Sequence, residues 1–180
     1  MPSDTTQLHS NIPPPFIPPE SHFQPEIPLS FSTDIWSLAC TIFNIMGRCP
    51  PFYTDSVYDT TGIEERVMLL GKLPSEWWGK WDARSRLFNE DGTRNNRKSE
   101  EELSWEEQFE KYLRQSRPNK DMEVMGDKEK DALSTMLKAM LRYRPSERPT
   151  AREVMESEWM EEWALPEVER MKELRQGDMT

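Results

Sequence analysis

The sequence has 180 residues, of which 35% are hydrophobic and 31% charged, with 15 prolines and a formal net charge of -10. Low aliphatic content and high net charge favour solvated chain, but 11 Met and 7 Trp bury well, so we expect one modest core. The composition excludes a collagen-like, a disulfide-stapled and a membrane-spanning protein.

The acidic net charge and the low cysteine content indicate which ligands the protein binds and in which cellular compartment it is found. An acidic chain without a basic stripe predicts no direct nucleic-acid ligand and favours a basic peptide or protein, although simple solubility explains most of the charges. Cys40 and Cys49 form no disulfide framework, and the polar N-terminus has no signal-peptide pattern. We therefore expect an intracellular protein, in the cytoplasm, the nucleus or both, without a membrane contact.

The first 30 residues hold eight of the 15 prolines. Because proline interrupts regular helix, we predict a disordered or extended N-terminus over residues 1–11. From residue 12 we predict an extended segment that packs on another part of the chain. A free proline-rich linker is the alternative.

The strongest helix prediction covers residues 31–47. Its apolar side chains occupy most of the helical wheel, which indicates a helix at the centre of a domain. The residues Ser32, Thr33 and Asp34 are candidate N-caps, and Gly47 is the predicted C-terminal stop.

Further helices are predicted after this central one, and no strand. Their ranges are 61–70, 104–115, 128–142, 150–155 and 166–176, with capping boxes at Thr61/Glu64, Ser104/Glu107 and Thr150/Glu153. The Trp-rich residues 72–103 are predicted to be an irregular segment anchored by its aromatic side chains, followed by a solvated loop over 89–102. In the last helix, Val168, Met171 and Leu174 could dock on the body or on a partner. The expected fold is mainly α.

Three motifs, in this order, resemble the C-terminal lobe of eukaryotic protein kinases. Pro18-Pro19-Glu20 resembles the A-P-E motif that closes the activation segment, and residues 31–52 resemble the central helix pattern S-x-D-[VI]-W-S-x-[GA]-C with its later G and P-F. Residues 140–154 resemble M-L-x-x-D-P-x-x-R-[PS]-[ST]-A. The resemblance implies a partial kinase domain over residues 12–160, without the N-terminal β lobe, and a C-terminal helical tail over 161–180.

Within kinases, residues 70–74 and the insertion before the 128–142 helix resemble the CMGC group, which contains the MAP, cyclin-dependent and SR-protein kinases. The Trp-rich residues 76–81 are most similar to fungal SR-protein-kinase-like enzymes. This resemblance implies serine/threonine specificity and a protein or basic peptide substrate, which includes substrates rich in Arg and Ser.

The same motifs supply the structural site candidates Pro18, Pro19, Glu20, Asp34, Trp36 and Arg148. A carboxylate buried at Glu20 needs a cationic partner, and Arg148 between two prolines is a suitable bidentate one; two unpaired surface charges are the alternative. In the family this pair ties the activation segment to the helical lobe. Asp34 is expected to cap the central helix, and Trp36 to support the core.

Four acidic residues are candidates for docking a basic substrate tail: Asp55, Asp59, Glu64 and Glu65. They are implied by the second helix and the adjacent insertion, which contribute to docking in kinases of this group. A solvated acidic helix face is the plainer explanation of each.

The motifs that perform phosphoryl transfer are absent from these 180 residues. The sequence contains no Gly-rich loop, V-A-I-K, H-R-D or D-F-G, so we assign no catalytic, cofactor-binding or metal-binding residue. ATP and magnesium are implied for the complete family domain, and the chain alone is expected to be inactive. Within the matched part, Arg144 stands where the family pattern has Asp.

Three interpretations remain open at this stage. The chain is part of a serine/threonine kinase that is active in a longer form, a non-catalytic kinase remnant that binds proteins through acidic surface, or an unrelated helical domain.

Overall fold

The computed structural model describes residues 12–53, 60–95, 103–115, 117 and 123–177. These residues are mostly helical, and the one β feature among them is an isolated antiparallel bridge between Phe88 and Arg94. The predicted N-terminus over residues 1–11 and most of the predicted loop beyond residue 95 lie outside the described part. Where it is described, the chain has the mainly α fold that the sequence predicts.

Nine α-helices follow one another along the described residues. They are α1 (Glu20–Phe23), α2 (Phe31–Gly47), α3 (Thr60–Leu70), α4 (Ser75–Trp78), α5 (Arg84–Leu87), α6 (Trp105–Phe109), α7 (Asp127–Met140), α8 (Ala151–Met155) and α9 (Leu165–Gly177). Two π-helical turns, Glu110–Arg114 and Met160–Ala164, follow α6 and precede α9.

The central helix α2 has the predicted length but different ends. It begins at Phe31, so the predicted caps Ser32, Thr33 and Asp34 already lie in its first turn; the N-cap is Ser30, whose backbone N–H donates to Thr33 Oγ1 at 3.2 Å. The left-handed residue beyond the helix is Arg48, at φ 58°. Gly47 is the last helical residue, and a Cβ there would lie 3.0 Å from Leu113 Cδ1. Close packing against Leu113, not a left-handed stop, therefore favours a glycine here.

The main core surrounds α2. Helices α6 and α7 and the Glu110–Arg114 turn pack against it, and aromatic and aliphatic side chains fill the space between them. The largest fully buried members are Trp36, Phe43, Phe52, Phe109, Leu113, Leu133 and Leu137. Burial of this kind is the principal stabilising contribution to the fold.

A second core is formed by the Trp-rich stretch, whose indoles anchor it as the sequence analysis expected, although two short helices form where only irregular chain was predicted. Helices α4 and α5 fold there because Trp77, Trp78 and Trp81 all turn inward, and the Trp77 ring stacks on Phe23 with centroids 5.4 Å apart. Phe23 belongs to α1, so this core holds the proline-rich segment against the body. The segment is therefore packed, as predicted, and is not a free linker.

The remaining helix boundaries agree with the predictions to within a few residues. The Ser104/Glu107 and Thr150/Glu153 capping boxes are both present, but α3 begins at Thr60, so Thr61 lies inside it. The apolar side chains of α9 do not dock on the described body, because Val168, Met171 and Leu174 are all exposed. No described helix is both long and apolar enough to cross a membrane.

Candidate functional site

The site is centred on a buried ion pair that joins the first and the last of the three motifs described above. Arg148 Nη1 donates to Glu20 Oε1 at 2.7 Å, and Nη2 donates to Glu20 Oε2 at 2.6 Å. The side chains are 0% and 10% exposed. This is the two-point geometry for which a planar guanidinium is suited, and the two residues that the sequence analysis expected to pair are in contact.

Backbone carbonyls complete the coordination of Arg148. Its Nη1 donates to Ser32 O at 2.9 Å, its Nη2 to Tyr143 O at 2.9 Å, and its Nε to Arg142 O at 2.8 Å. One guanidinium thus ties together α1, the start of α2 and the loop after α7. Because all five N–H groups of the guanidinium donate to acceptors, burial of the charge is compensated.

Trp36 lies beneath this ion pair and is fully buried. The Arg148 guanidinium carbon lies 5.1 Å from the Trp36 ring centroid, and Trp36 stacks on Phe52 with centroids 5.6 Å apart. Trp36 is therefore a core residue that also contacts the cation through its ring face.

A second buried arginine, Arg66 of α3, was missed by the sequence analysis. It donates through Nη2 to Ile17 O at 3.0 Å and lies over the Phe52 ring at 5.5 Å. Burial lowers the pKa of its guanidinium, while the nearby Glu20 carboxylate opposes that shift. Arg66 thus holds the residue before Pro18 against α3. Only its position in an otherwise amphipathic helix could have suggested this role.

The other predicted structural residues are placed as follows. Pro18 and Pro19 are buried, and Pro19 precedes the first residue of α1, where a fixed φ suits helix initiation. Asp34 is exposed in the first turn of α2 and does not act as its N-cap; its position there still suits the helix dipole.

The acidic docking candidates do not form one surface in the described residues. Asp55 and Asp59 lie outside the described part. Glu64 Oε1 pairs with Arg94 Nη2 at 2.7 Å and is mostly buried, so its charge is already compensated. Glu65 accepts a hydrogen bond from the Tyr53 backbone N–H through one carboxylate oxygen.

Glu65 lines a small cavity of about 150 Å³ between α3 and α6. Tyr53 and Tyr112 supply aromatic walls, and Gln108 lies at its base. Gln108 is 6% exposed; its Nε2 donates to Pro51 O at 3.1 Å, whereas its Oε1 has no hydrogen-bond partner among the described residues. The Glu65 carboxylate and the two aromatic faces together suit a cationic side chain.

One face of α2 is not covered by the described chain. Phe31, Leu38 and Ile45 are seven residues apart, and they are 91%, 43% and 71% exposed. Residues at this spacing share one side of a helix. The central helix of the fold thus presents an apolar stripe on one side and the main core on the other.

Candidate metal and phosphate sites were sought among the described residues and in the sequence. Across 12–53, 60–95, 103–115, 117 and 123–177, no group of three or more His, Cys, Asp or Glu side chains could hold a metal ion. The printed sequence also has no phosphate-binding glycine motif. We therefore derive no phosphoryl-transfer step on these residues.

Comparisons with known proteins agree with the family resemblance that the three motifs indicate. The family model described as "Protein kinase domain" matches residues 3–160. The chain is also 32% identical over 140 residues to "Serine/threonine-protein kinase SRPK" of Physarum polycephalum, an alignment that covers 71% of this chain and 29% of that relative. The chain thus spans less than a third of that relative's length. It belongs to the protein kinase family, and within it is similar to SR-protein-kinase-like serine/threonine kinases of the CMGC group.

Proposed function

We propose that this chain is the C-terminal part of a serine/threonine protein kinase catalytic domain. In the complete domain it would support transfer of the ATP γ-phosphate to protein Ser or Thr, with ATP and magnesium bound by residues that this chain does not supply. The chain alone is then inactive. The Glu20–Arg148 pair carries this proposal, because it links the predicted end of the activation segment to the helical body with bidentate geometry.

The uncovered side of α2 supports the same proposal. A central helix that leaves Phe31 and Ile45 in water departs from the usual burial of large apolar side chains. Packing of the remainder of the catalytic domain against this side would remove the stripe from solvent. The Glu20–Arg148 pair would then hold the activation segment on the helical body, and the apolar stripe of α2 would hold the rest of the catalytic domain.

Isothermal titration calorimetry of the purified 180-residue protein with ATP and magnesium tests the proposal. We expect no saturable heat, because the sequence has no Gly-rich loop, V-A-I-K, H-R-D or D-F-G motif. A saturable signal with one site per chain would overturn the proposal that ATP and magnesium are bound by residues outside this chain. An active serine/threonine kinase titrated under the same conditions provides the positive control.

We further propose that the substrate is a protein or a basic peptide, rich in Arg and Ser, and that its tail docks at the Glu65 cavity. The Glu65 carboxylate and the Tyr53 and Tyr112 rings support a cationic side chain at this place. The alternative, a non-catalytic kinase remnant acting as an acidic protein-binding module, rests on the same cavity. Neither the kinase function nor the binding-module alternative involves direct contact with nucleic acid. Both are compatible with a location in the cytoplasm or the nucleus.

A labelled peptide of four Arg-Ser repeats tests the docking site by fluorescence anisotropy. We expect Glu65→Gln to weaken binding about fivefold to tenfold, since it removes the only carboxylate among the residues that line the cavity. Glu161→Gln, an exposed residue of the Met160–Ala164 turn, removes the same charge elsewhere and serves as the control. Equal weakening by both variants would contradict the assignment, because it would show that only net charge matters.

A further inference from the structure

A second cleft, of about 450 Å³, lies where the C-terminal ends of α3 and α7 meet. Its floor is apolar and is formed by Leu70, Leu73 and Leu141. Its rim carries four basic side chains and one acidic one: Lys72, Lys138, Arg142, Arg144 and Glu147. A basic rim is unexpected in a chain with a formal net charge of -10.

Two arginines of this rim are available to bind an anionic group. Arg142 is exposed and forms no ion pair within the part of the chain that the structure describes. Arg144 contacts Glu76 through two hydrogen bonds, Nε to Oε1 at 3.0 Å and Nη2 to Oε2 at 2.9 Å, and both side chains are nearly half exposed. Arg144 Nη1 also donates to Glu147 Oε1 at 3.2 Å, and that carboxylate is equally exposed. Exposed pairs of this kind contribute little to stability, so an incoming carboxylate can exchange with Glu76 or Glu147.

Favourable interaction with helix dipoles explains some of the basic residues on this rim but not all of them. Lys138 lies in the last turn of α7 and Lys72 follows the end of α3 by two residues, where cations complement the helix C-terminus. Arg144 lies four residues beyond the end of α7, and it replaces the Asp of the kinase pattern given above. The reversed charge at this position is therefore a property of this chain that helix stability does not require.

The wall of the cleft is held rigidly. The Tyr143 hydroxyl donates to Gly71 O at 2.8 Å and so joins the ends of α7 and α3. The backbone carbonyls of Arg142 and Tyr143 accept hydrogen bonds from Arg148, the buried member of the central ion pair. A binding surface fixed in this way loses little conformational freedom when a ligand docks.

We propose that this cleft docks an acidic segment of a partner protein. An apolar side chain of the segment lies on the leucine floor, and flanking carboxylates pair with Arg142 and Arg144. The charge of the rim is complementary to such a segment and opposite to that of the basic substrate proposed for the Glu65 cavity. The two sites therefore select ligands of opposite charge, and the inference does not rest on the proposed function.

Fluorescence anisotropy with a labelled eight-residue peptide of alternating Asp and Leu, titrated with the full 180-residue protein, tests the proposal. We expect saturable binding that weakens as salt is raised, and at least about tenfold weaker binding of the matched Asn-Leu peptide. Arg142→Glu and Arg144→Asp should each weaken the Asp-Leu peptide about tenfold.

Arg152→Glu is the matched control, because Arg152 is exposed on α8 and makes the same charge change outside the cleft. Thermal melts of all variants report on folding separately. Equal binding of the two peptides, or an unchanged affinity in Arg142→Glu, would overturn the proposal. A lowered melting temperature in the cleft variants with no peptide binding by the wild-type protein would also overturn it, since the arginines would then serve stability alone.

Discussion

The Glu20–Arg148 pair allows a quantitative test by a double-mutant cycle. In Glu20→Gln, the guanidinium keeps the carbonyls of Ser32, Arg142 and Tyr143 but loses its counter-charge. Since these carbonyls still solvate the cation, we expect the lower end of the range for breaking a buried pair, a loss of about 3 kcal/mol in unfolding free energy.

The reverse truncation should cost more. Arg148→Met leaves three carbonyls without this donor and leaves the Glu20 carboxylate with the Thr33 hydroxyl at 3.5 Å as its one remaining hydrogen bond. We therefore expect a loss of about 5 kcal/mol. The double variant buries no unpaired charge, so its loss should be smaller than the sum by a coupling energy of about 2–3 kcal/mol.

Urea unfolding followed by tryptophan fluorescence measures these differences. Because single domains are stabilised by only about 5–15 kcal/mol, a stabilising osmolyte such as TMAO keeps the weaker variants folded at the start of the titration. Lys172→Met is the control: Lys172 pairs with Glu169 at 2.7 Å, but both side chains are exposed, and we expect no measurable change. A coupling energy below about 0.5 kcal/mol for Glu20 and Arg148 would refute the reasoning.

Three further predictions follow from the packing. Trp36→Ala should lower the unfolding free energy by about 3–5 kcal/mol in urea titrations, because it leaves a cavity between Phe52 and Arg148, and Trp36→Phe should recover part of this loss. The double variant with Phe31→Glu and Ile45→Glu should reduce self-association in sedimentation velocity, because it charges the uncovered stripe of α2. Burial raises the pKa of the Cys40 thiol to about 12, so the unfolded chain releases this proton first, and stability should fall as pH rises from about 9 to 12.

Each of these predictions has an outcome that contradicts it. A Trp36→Ala variant as stable as the wild-type protein would show that the indole is not packed as described. Unchanged sedimentation of the stripe variant would show that the uncovered face does not drive association. For the thiol, Cys40→Ala should lose less stability between pH 7 and pH 10 than the wild-type protein, and identical pH profiles would mean that the thiol is not buried.

The sequence was sufficient for the parts of the fold that depend on local pattern. The length of α2 follows from its continuous apolar wheel, and the caps at Ser104 and Thr150 follow from reciprocal hydrogen bonds over four residues. The contact between Glu20 and Arg148 spans 128 positions and was accessible only through the family resemblance, since no local rule pairs residues so distant.

The errors have a common physical cause, which is that tertiary packing overrides local preference. The Trp-rich stretch has little helix pattern of its own, yet α4 and α5 form because three indoles are buried in one cluster, Trp77 on Phe23 and the other two on Phe88. Gly47 was interpreted as a stop, whereas the approach of Leu113 explains it. Arg66 and Gln108 could not be predicted as site residues because burial of a polar side chain is a property of its neighbours.

Hydrogen exchange at the proline-rich segment tests the central claim most directly, namely that the ion pair holds the predicted end of the activation segment on the helical body. The backbone amides of Ser21, His22, Phe23 and Gln24 donate to the carbonyls of Pro18, Pro19 and Glu20. We predict slow exchange of these amides in the wild-type protein and fast exchange in Glu20→Gln, with α7 unchanged. Fast exchange in the wild-type protein, or equal protection in both proteins, would contradict the account.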